Sequence, residues 1–275
     1  MRLFQKNYDK PGKGVSKNEP EKKSFFRFFE LYFRNFWTLI SAQFWFLLLS
    51  IPLVTSGLAN VGLAYICRMA ARDRHVFLTS DFFGTIKNNW KRALPVGIIN
   101  TIINLIFAAD MYCLYWLWKL NEAQRTFCFI IFIVSTFLFI MFSYAKYYMY
   151  TLIITFDFNI KTIFKNSWLF ATLGIKHNII IGGVLMLLYI AALFVMSINF
   201  AFGFALTLLL GLFIFPSFKM FLIQFNVFPE IKKYIIDPYY KEHPDDDKEM
   251  RRELGILEND DDDSVFDDSH SQSEQ

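Results

Sequence analysis

Four stretches without a charged side chain constrain this sequence more than anything else in it: Asn35 to Cys67, Ala93 to Ala109, Thr126 to Ala145 and His177 to Phe218. A helix that crosses a bilayer needs about 20 apolar residues at about 1.5 Å each. The 33-residue and 42-residue stretches are therefore too long for one untilted crossing apiece. With 55% hydrophobic residues and 34 Phe, the chain has too little polar surface for a water-facing globule, and a disordered chain is excluded for the same reason. The three cysteines, Cys67, Cys113 and Cys128, have neither the number nor the spacing of a disulfide scaffold or a metal site. The expected class is all-α, an integral membrane helical bundle.

Local breaks divide the long stretches. Ile51-Pro52-Leu53-Val54-Thr55-Ser56-Gly57 interrupts the first, because proline removes a backbone donor and glycine permits a sharp turn. Ser197-Ile198-Asn199 weakens the last. The pattern predicts six transmembrane helices, near 36 to 53, 57 to 72, 93 to 118, 126 to 155, 176 to 197 and 201 to 224, arranged as three hairpins. The second is short enough to be read alternatively as a re-entrant segment covered by other helices.

Lysine and arginine arbitrate that alternative, because cytoplasmic loops near span ends carry the positive excess. Residues 1–35 hold nine of them, 68–92 six, 146–176 four and 219 onward seven, while the other three connections hold 0, 2 and 0. Six spans put 26 of the 28 on one side, so both termini are expected in the cytoplasm of a cell-membrane protein. Five spans would set the two richest segments on opposite sides. Residues 1–23 read as a basic polar cytoplasmic tail, 24–229 as the transmembrane domain and 230–275 as an acidic, largely disordered cytoplasmic tail. The polar, Lys-rich start leads into a span with no small-residue cleavage site, so no cleavable signal peptide is expected.

An internal repeat is the most specific pattern in the chain. Phe33-Arg34-Asn35-Phe36-Trp37, Ile86-Lys87-Asn88-Asn89-Trp90 and Phe164-Lys165-Asn166-Ser167-Trp168 all read apolar, basic, Asn, any residue, Trp. Composition alone gives roughly 0.03 such cases for six Trp. Apolar residues also stand four and eight positions before each Trp, on the same helical face. The repeat predicts a short amphipathic interfacial helix before each hairpin, with Trp at headgroup level and the neighbouring Arg34, Lys87 or Lys165 reaching lipid phosphate. Ser80-Asp81 and Asn159 are candidate N-caps for the second and third copies. The elbows either anchor span ends, or they enclose a central path or dock a partner.

The segment Ile51-Pro52-Leu53-Val54-Thr55-Ser56-Gly57-Leu58-Ala59, a basic loop, then Asp81-Phe82-Phe83 and Lys87-Asn88-Asn89-Trp90-Lys91-Arg92-Ala93-Leu94 resembles the YesL-like family of bacterial membrane proteins over roughly residues 24 to 225. Where that family typically reads Pro after the Thr-any-Gly turn, this chain has Leu58. The resemblance implies a multi-pass plasma-membrane protein of Gram-positive-type bacteria, often encoded beside carbohydrate uptake permeases. It brings no catalytic residues. An accessory or regulatory component associated with carbohydrate uptake, partnered by permease subunits, is the function it favours; a small transporter or lipid-handling protein with its own path is the alternative.

Chemistry inside the predicted spans is sparse. Asp110 sits eight residues before Trp118, about 12 Å along the helix, and an intramembrane carboxylate marks a site by default. Equally, it can reach interfacial water or pair with Lys119, Arg125 or a tyrosine. Asn100 and Asn104, one turn apart beside Thr101, are candidates for a polar seam or for interhelical hydrogen bonds. Asp157 and His177 fall near cytoplasmic span ends. No phosphate-cradling Gly-rich loop, His-Glu-any-any-His or nucleophile elbow is present, so neither catalysis nor a cofactor is expected. The basic N-terminal residues are explained by lipid and orientation, the bilayer being the expected partner rather than nucleic acid.

Overall fold

The structure is a computed structural model that describes residues 24–120 and 122–242. Those residues are 93% helical and contain no strand, so the all-α class holds. Ten α-helices follow in order: α1 Ser24–Arg34, α2 Phe36–Ser50, α3 Ser56–Ala71, α4 Leu78–Leu120, α5 Arg125–Thr155, α6 Ile160–Leu173, α7 Ile175–Ile198, α8 Phe200–Phe213, α9 Phe215–Ile231 and α10 Asp237–Glu242. A 3-10 turn over Leu53–Thr55 joins α2 to α3, and another over Glu122–Gln124 precedes α5. The basic tail at 1–23 lies outside the described residues. So does the run from 243 onward, whereas α9 continues through the expected 229/230 boundary and a π-helical turn over Lys232–Ile236 leads into α10.

The breaks have local causes. At Asn35 the side-chain Nδ2 donates to Leu31 O (3.0 Å) and to Ala70 O (3.4 Å), tying the end of α1 to the end of α3. At Pro52 the Thr55 hydroxyl is shared between the carbonyls of Leu49 and Pro52, and Ser56 Oγ donates to Leu53 O at 2.7 Å. Asn159 Oδ1 accepts from Thr162 N at 2.8 Å, as an N-cap should. Asn199 does the same for α8, accepting from Phe202 N at 3.0 Å.

Three expectations fail locally. The second amphipathic helix is not separate: α4 runs without interruption for 43 residues through Pro95. Ser80 and Asp81 consequently lie inside it, and Asp81 reaches back instead to accept from Phe77 N at 2.9 Å. The last predicted span, 201 to 224, is broken at Ile214, where α8 and α9 meet at a bend of 52°. Pro216 is the physical reason, since its missing N–H leaves Leu212 O without a helical donor. Gln43, only 1% exposed on α2, supplies that donor from Nε2 at 2.8 Å. Finally, the length doubt falls on α2 rather than on the helix after Pro52. Four helical segments are long and apolar enough to cross a membrane, Leu53–Ala71, Leu78–Lys119, Arg125–Thr155 and Ile175–Ile198, and α8 with α9 makes a fifth if the bent pair is one crossing. At 15 residues, α2 measures about 22 Å.

α3 is the hub. It packs against α2, α4, α5 and α9, and 56% of its apolar stretch is buried. Small residues permit this: a Cβ on Gly57 would stand 2.7 Å from Gly97 Cα and press on Ala93 O, so α3 and α4 cross backbone to backbone. One end of the bundle is densely packed by Leu39, Phe82, Tyr148, Ile163, Phe221 and their neighbours. Phe28 and Tyr32 of α1 join it through ring contacts with Phe218 and Phe221. Burial pushes the Tyr32 phenol up to about 12, with the nearby Cys67 adding to the shift. The other end opens. The apolar stretch of α7 is only 6% buried, and large side chains such as Phe132, Phe137, Leu187 and Tyr189 are exposed.

Candidate functional site: a polar seam beside three basic elbows

Crossing α3 at Gly57 fixes which face of α4 turns inward. Four residues past Gly97, Thr101 Oγ1 donates to Gly97 O (3.0 Å) and lies 3.5 Å from Ser56 Oγ. Asn100, 4% exposed, donates from Nδ2 to Tyr150 OH at 3.3 Å, while its Oδ1 has no partner among the described residues. One turn on, Asn104 Oδ1 accepts from Lys146 Nζ at 3.0 Å. The ammonium also lies 5.4 and 5.2 Å from the ring centres of Phe139 and Phe142. The seam is thus a line of interhelical hydrogen bonds between α4 and α5.

Asp110 is not part of it. Six residues beyond Asn104, it points about 120° away around the helix. It makes no hydrogen bond or ion pair with a described residue, because its candidate partners are engaged elsewhere. Arg125 pairs with Glu122 at 2.9 Å and stacks on Trp118, and Lys119 lies 5.2 Å from the Trp116 ring. The structure brings Asn100 and Asn104 together and leaves Asp110 apart.

Lys146 is the residue that sequence reasoning missed. It was grouped with the basic connection 146–176, yet it lies nine residues before the end of α5, about 14 Å along the axis. The signal was present, since the helix predicted over 126 to 155 already contained it.

The elbows share outward-facing tryptophans: Trp37, Trp90 and Trp168 are all exposed. Their backbones differ. Asn35 sits at a helix break, Asn88 lies within the continuous α4, and Asn166 lies within α6, which ends at Gly174. Arg34 pairs with Asp73. Lys87, Asn88 and Lys165 are exposed, and Asn166 is half-buried. The strongest basic contact of the second elbow is made just past its Trp, where Arg92 donates to Phe156 O (2.7 Å) and Asn89 Oδ1 (2.6 Å) and pairs with Asp157 (2.8 Å). Arg68 does related work from α3, donating to Thr155 Oγ1 (2.8 Å) and Ile154 O (3.3 Å). Two cations therefore satisfy the carbonyl end of α5, where the helix dipole favours positive charge. His177 Nδ1 stands 2.8 Å from Glu230 Oε1, joining α7 to α9.

Among the described residues no group of three or more His, Cys, Asp or Glu is placed to hold a metal ion. Described residues that are 93% helical, with several apolar helices of crossing length, define a helical membrane protein. Residues 38–111 match the model of a family described as "Protein of unknown function, DUF624", and YesL-like proteins belong to that family. The match covers α2, α3 and most of α4, including the Gly57–Gly97 crossing, Asn100, Asn104 and Asp110. No curated protein and no solved structure matches the chain.

Proposed function

We propose that the protein crosses the cell membrane six times with both termini in the cytoplasm, and that it is a non-enzymatic accessory or regulatory component associated with carbohydrate uptake. One observation carries the accessory reading. α5 and α7 approach where Tyr148 OH donates to Asn178 Oδ1 at 3.1 Å and where Tyr144 faces Gly182, and beyond these Phe137, Met186 and Tyr189 stand exposed. This exposed surface is mostly apolar, which suits the helix of a membrane partner better than a sugar, which needs many hydrogen bonds. The carbohydrate association rests on the YesL-like resemblance. Six crossings follow if α2 and the bent α8–α9 pair each traverse the bilayer, which keeps the basic connections on one side.

The rival reading, a small transporter with its own path, draws support from Lys146 inside α5 and from the unpartnered Asp110. Affinity capture from mild detergent separates the two. Stoichiometric recovery of carbohydrate permease subunits is the expected outcome; a solitary particle carrying a solute would sink the accessory role.

A further inference from the structure

A cavity of about 520 Å³ lies at the packed end, between the start of α1, the end of α3, the start of α7 and α9. It belongs neither to the seam nor to the elbows. Four cationic or titratable side chains from three elements converge on it: Arg27, Arg68, Arg72 and His177. Glu230 is engaged with His177. Arg68 is fixed by its bonds to the end of α5, and Arg72 lies 3.4 Å above the Phe228 ring, so both guanidinium groups have set positions. Burial, with the like charges of Arg68 and Arg74, pushes Arg72 down to about 9, which leaves it charged at neutral pH.

The cavity also has a hydrogen-bond requirement that a fully ionised anion does not meet. Gln224 lines it at 1% exposure, donates from Nε2 to Thr151 Oγ1 at 2.8 Å, and has no described partner for Oε1. A buried amide oxygen without a donor costs about 1–3 kcal/mol. A fully ionised phosphate oxygen only accepts and cannot serve it, whereas a hydroxyl can. Asn226 lies alongside, its Nδ2 occupied by Leu222 O at 2.8 Å, and it presents a second acceptor oxygen. We propose that this cavity binds a polyol phosphate, its phosphate held by Arg27, Arg68 and Arg72 and a free hydroxyl donating to Gln224. The volume is within the ~300–1,000 Å³ of small-ligand sites. Ile180, 53% exposed, borders the rim with apolar surface, where an acyl chain would lie beside the phosphate. The same headgroup chemistry occurs in phosphatidylglycerol and in soluble sugar or glycerol phosphates.

The test uses the full chain in mild detergent at mildly alkaline pH, with thermal unfolding read against added phosphatidylglycerol, phosphatidic acid, phosphatidylcholine, glycerol 3-phosphate and inorganic sulfate at constant ionic strength. Stabilisation by phosphatidylglycerol or glycerol 3-phosphate, exceeding that by phosphatidic acid or inorganic sulfate at least tenfold in apparent affinity, is expected. Whichever of the first two acts identifies the source. Arg27→Gln, on the exposed face of α1 where folding does not depend on it, should weaken that affinity at least tenfold. Gln224→Met should erase the preference for the hydroxyl-bearing ligand while retaining anion binding. Equal stabilisation by phosphatidylcholine, no stabilisation by either polyol phosphate, or an Arg27→Gln protein that binds like the parent overturns the proposal. Equal affinity for phosphatidic acid and phosphatidylglycerol overturns the role given to Gln224.

Discussion

Adding one methyl group at Gly57 tests the crossing on which the placement of α4 depends. In Gly57→Ala the new Cβ would stand 2.7 Å from Gly97 Cα and press against Ala93 O. Carbon atoms in good contact are about 3.5–4.0 Å apart, so the shortfall is about 1 Å. Both opposing groups are backbone, and no side chain can swing aside; the helices must separate, and the Ser56–Thr101 contact at 3.5 Å must lengthen with them. Overpacking of this kind costs about 1–3 kcal/mol, against a helix-propensity gain of about 1 kcal/mol for Ala over Gly. With backbone on both sides the upper part of that range applies, and a net loss of about 1–2 kcal/mol is expected. Gly84→Ala, in α4 where nothing lies within 4 Å of the added carbon, should gain up to about 1 kcal/mol instead. Thermal unfolding of the two purified variants in one detergent should therefore move in opposite directions, by about 2–4 °C per kcal/mol. A Gly57→Ala protein at least as stable as the parent would refute the close crossing.

Four further outcomes are expected. Gln43→Leu removes the donor to Leu212 O, and Pro216→Ala restores a helical one, so the double variant should be about 1–2 kcal/mol more stable than the sum of the single changes; strict additivity in a denaturation cycle would contradict the pairing. Cysteines introduced at Ser80 and Lys233, with native cysteines replaced, should resist an impermeant thiol reagent in intact cells while one at Glu122 reacts, and labelling at Ser80 would reverse the orientation. Trp37→Leu, Trp90→Leu and Trp168→Leu should each lower abundance moderately and alike in immunoblots, whereas loss of partner capture at unchanged abundance would mark one elbow as a docking surface. Asp110→Asn should leave abundance and associated sugar uptake nearly unchanged, because its carboxylate takes no part in the seam; uptake lost without loss of protein would favour the transporter reading.

The helical class was legible because hydrocarbon-length apolar runs admit few other folds. Pro52 and Asn199 were legible because the residues that break those helices act within four positions of the break. Contacts made across the bundle were not. Pro216 stood in a run that looked continuous, and the donor that compensates it comes from Gln43, far away in sequence. Conversely, Pro95 gave no warning that α4 would continue through it. The motif Lys87-Asn88-Asn89-Trp90 matched its counterparts in residue class at the defining positions, yet at the Asn35 break the side-chain amide is received by the end of α3. Lys146 was visible as a charge but was assigned to a loop by its proximity to one. Asn100 and Asn104 stand one turn apart and share a face of α4, whereas the six residues from Asn104 to Asp110 turn the carboxylate off that face.

The bond from Gln43 to the Leu212 carbonyl joins residues 169 positions apart, and that separation orders events during synthesis. α2 emerges from the ribosome long before α8 and α9 and makes little demand on them. When the bent pair arrives, it carries a carbonyl that hydrocarbon cannot satisfy, a defect of about 1–2 kcal/mol. The segment inserted early thus acts as a template for the one inserted last. A chain synthesised without α1 and α2 should release its final hairpin into the bilayer incompletely, and supplying α1 and α2 as a separate polypeptide should restore it.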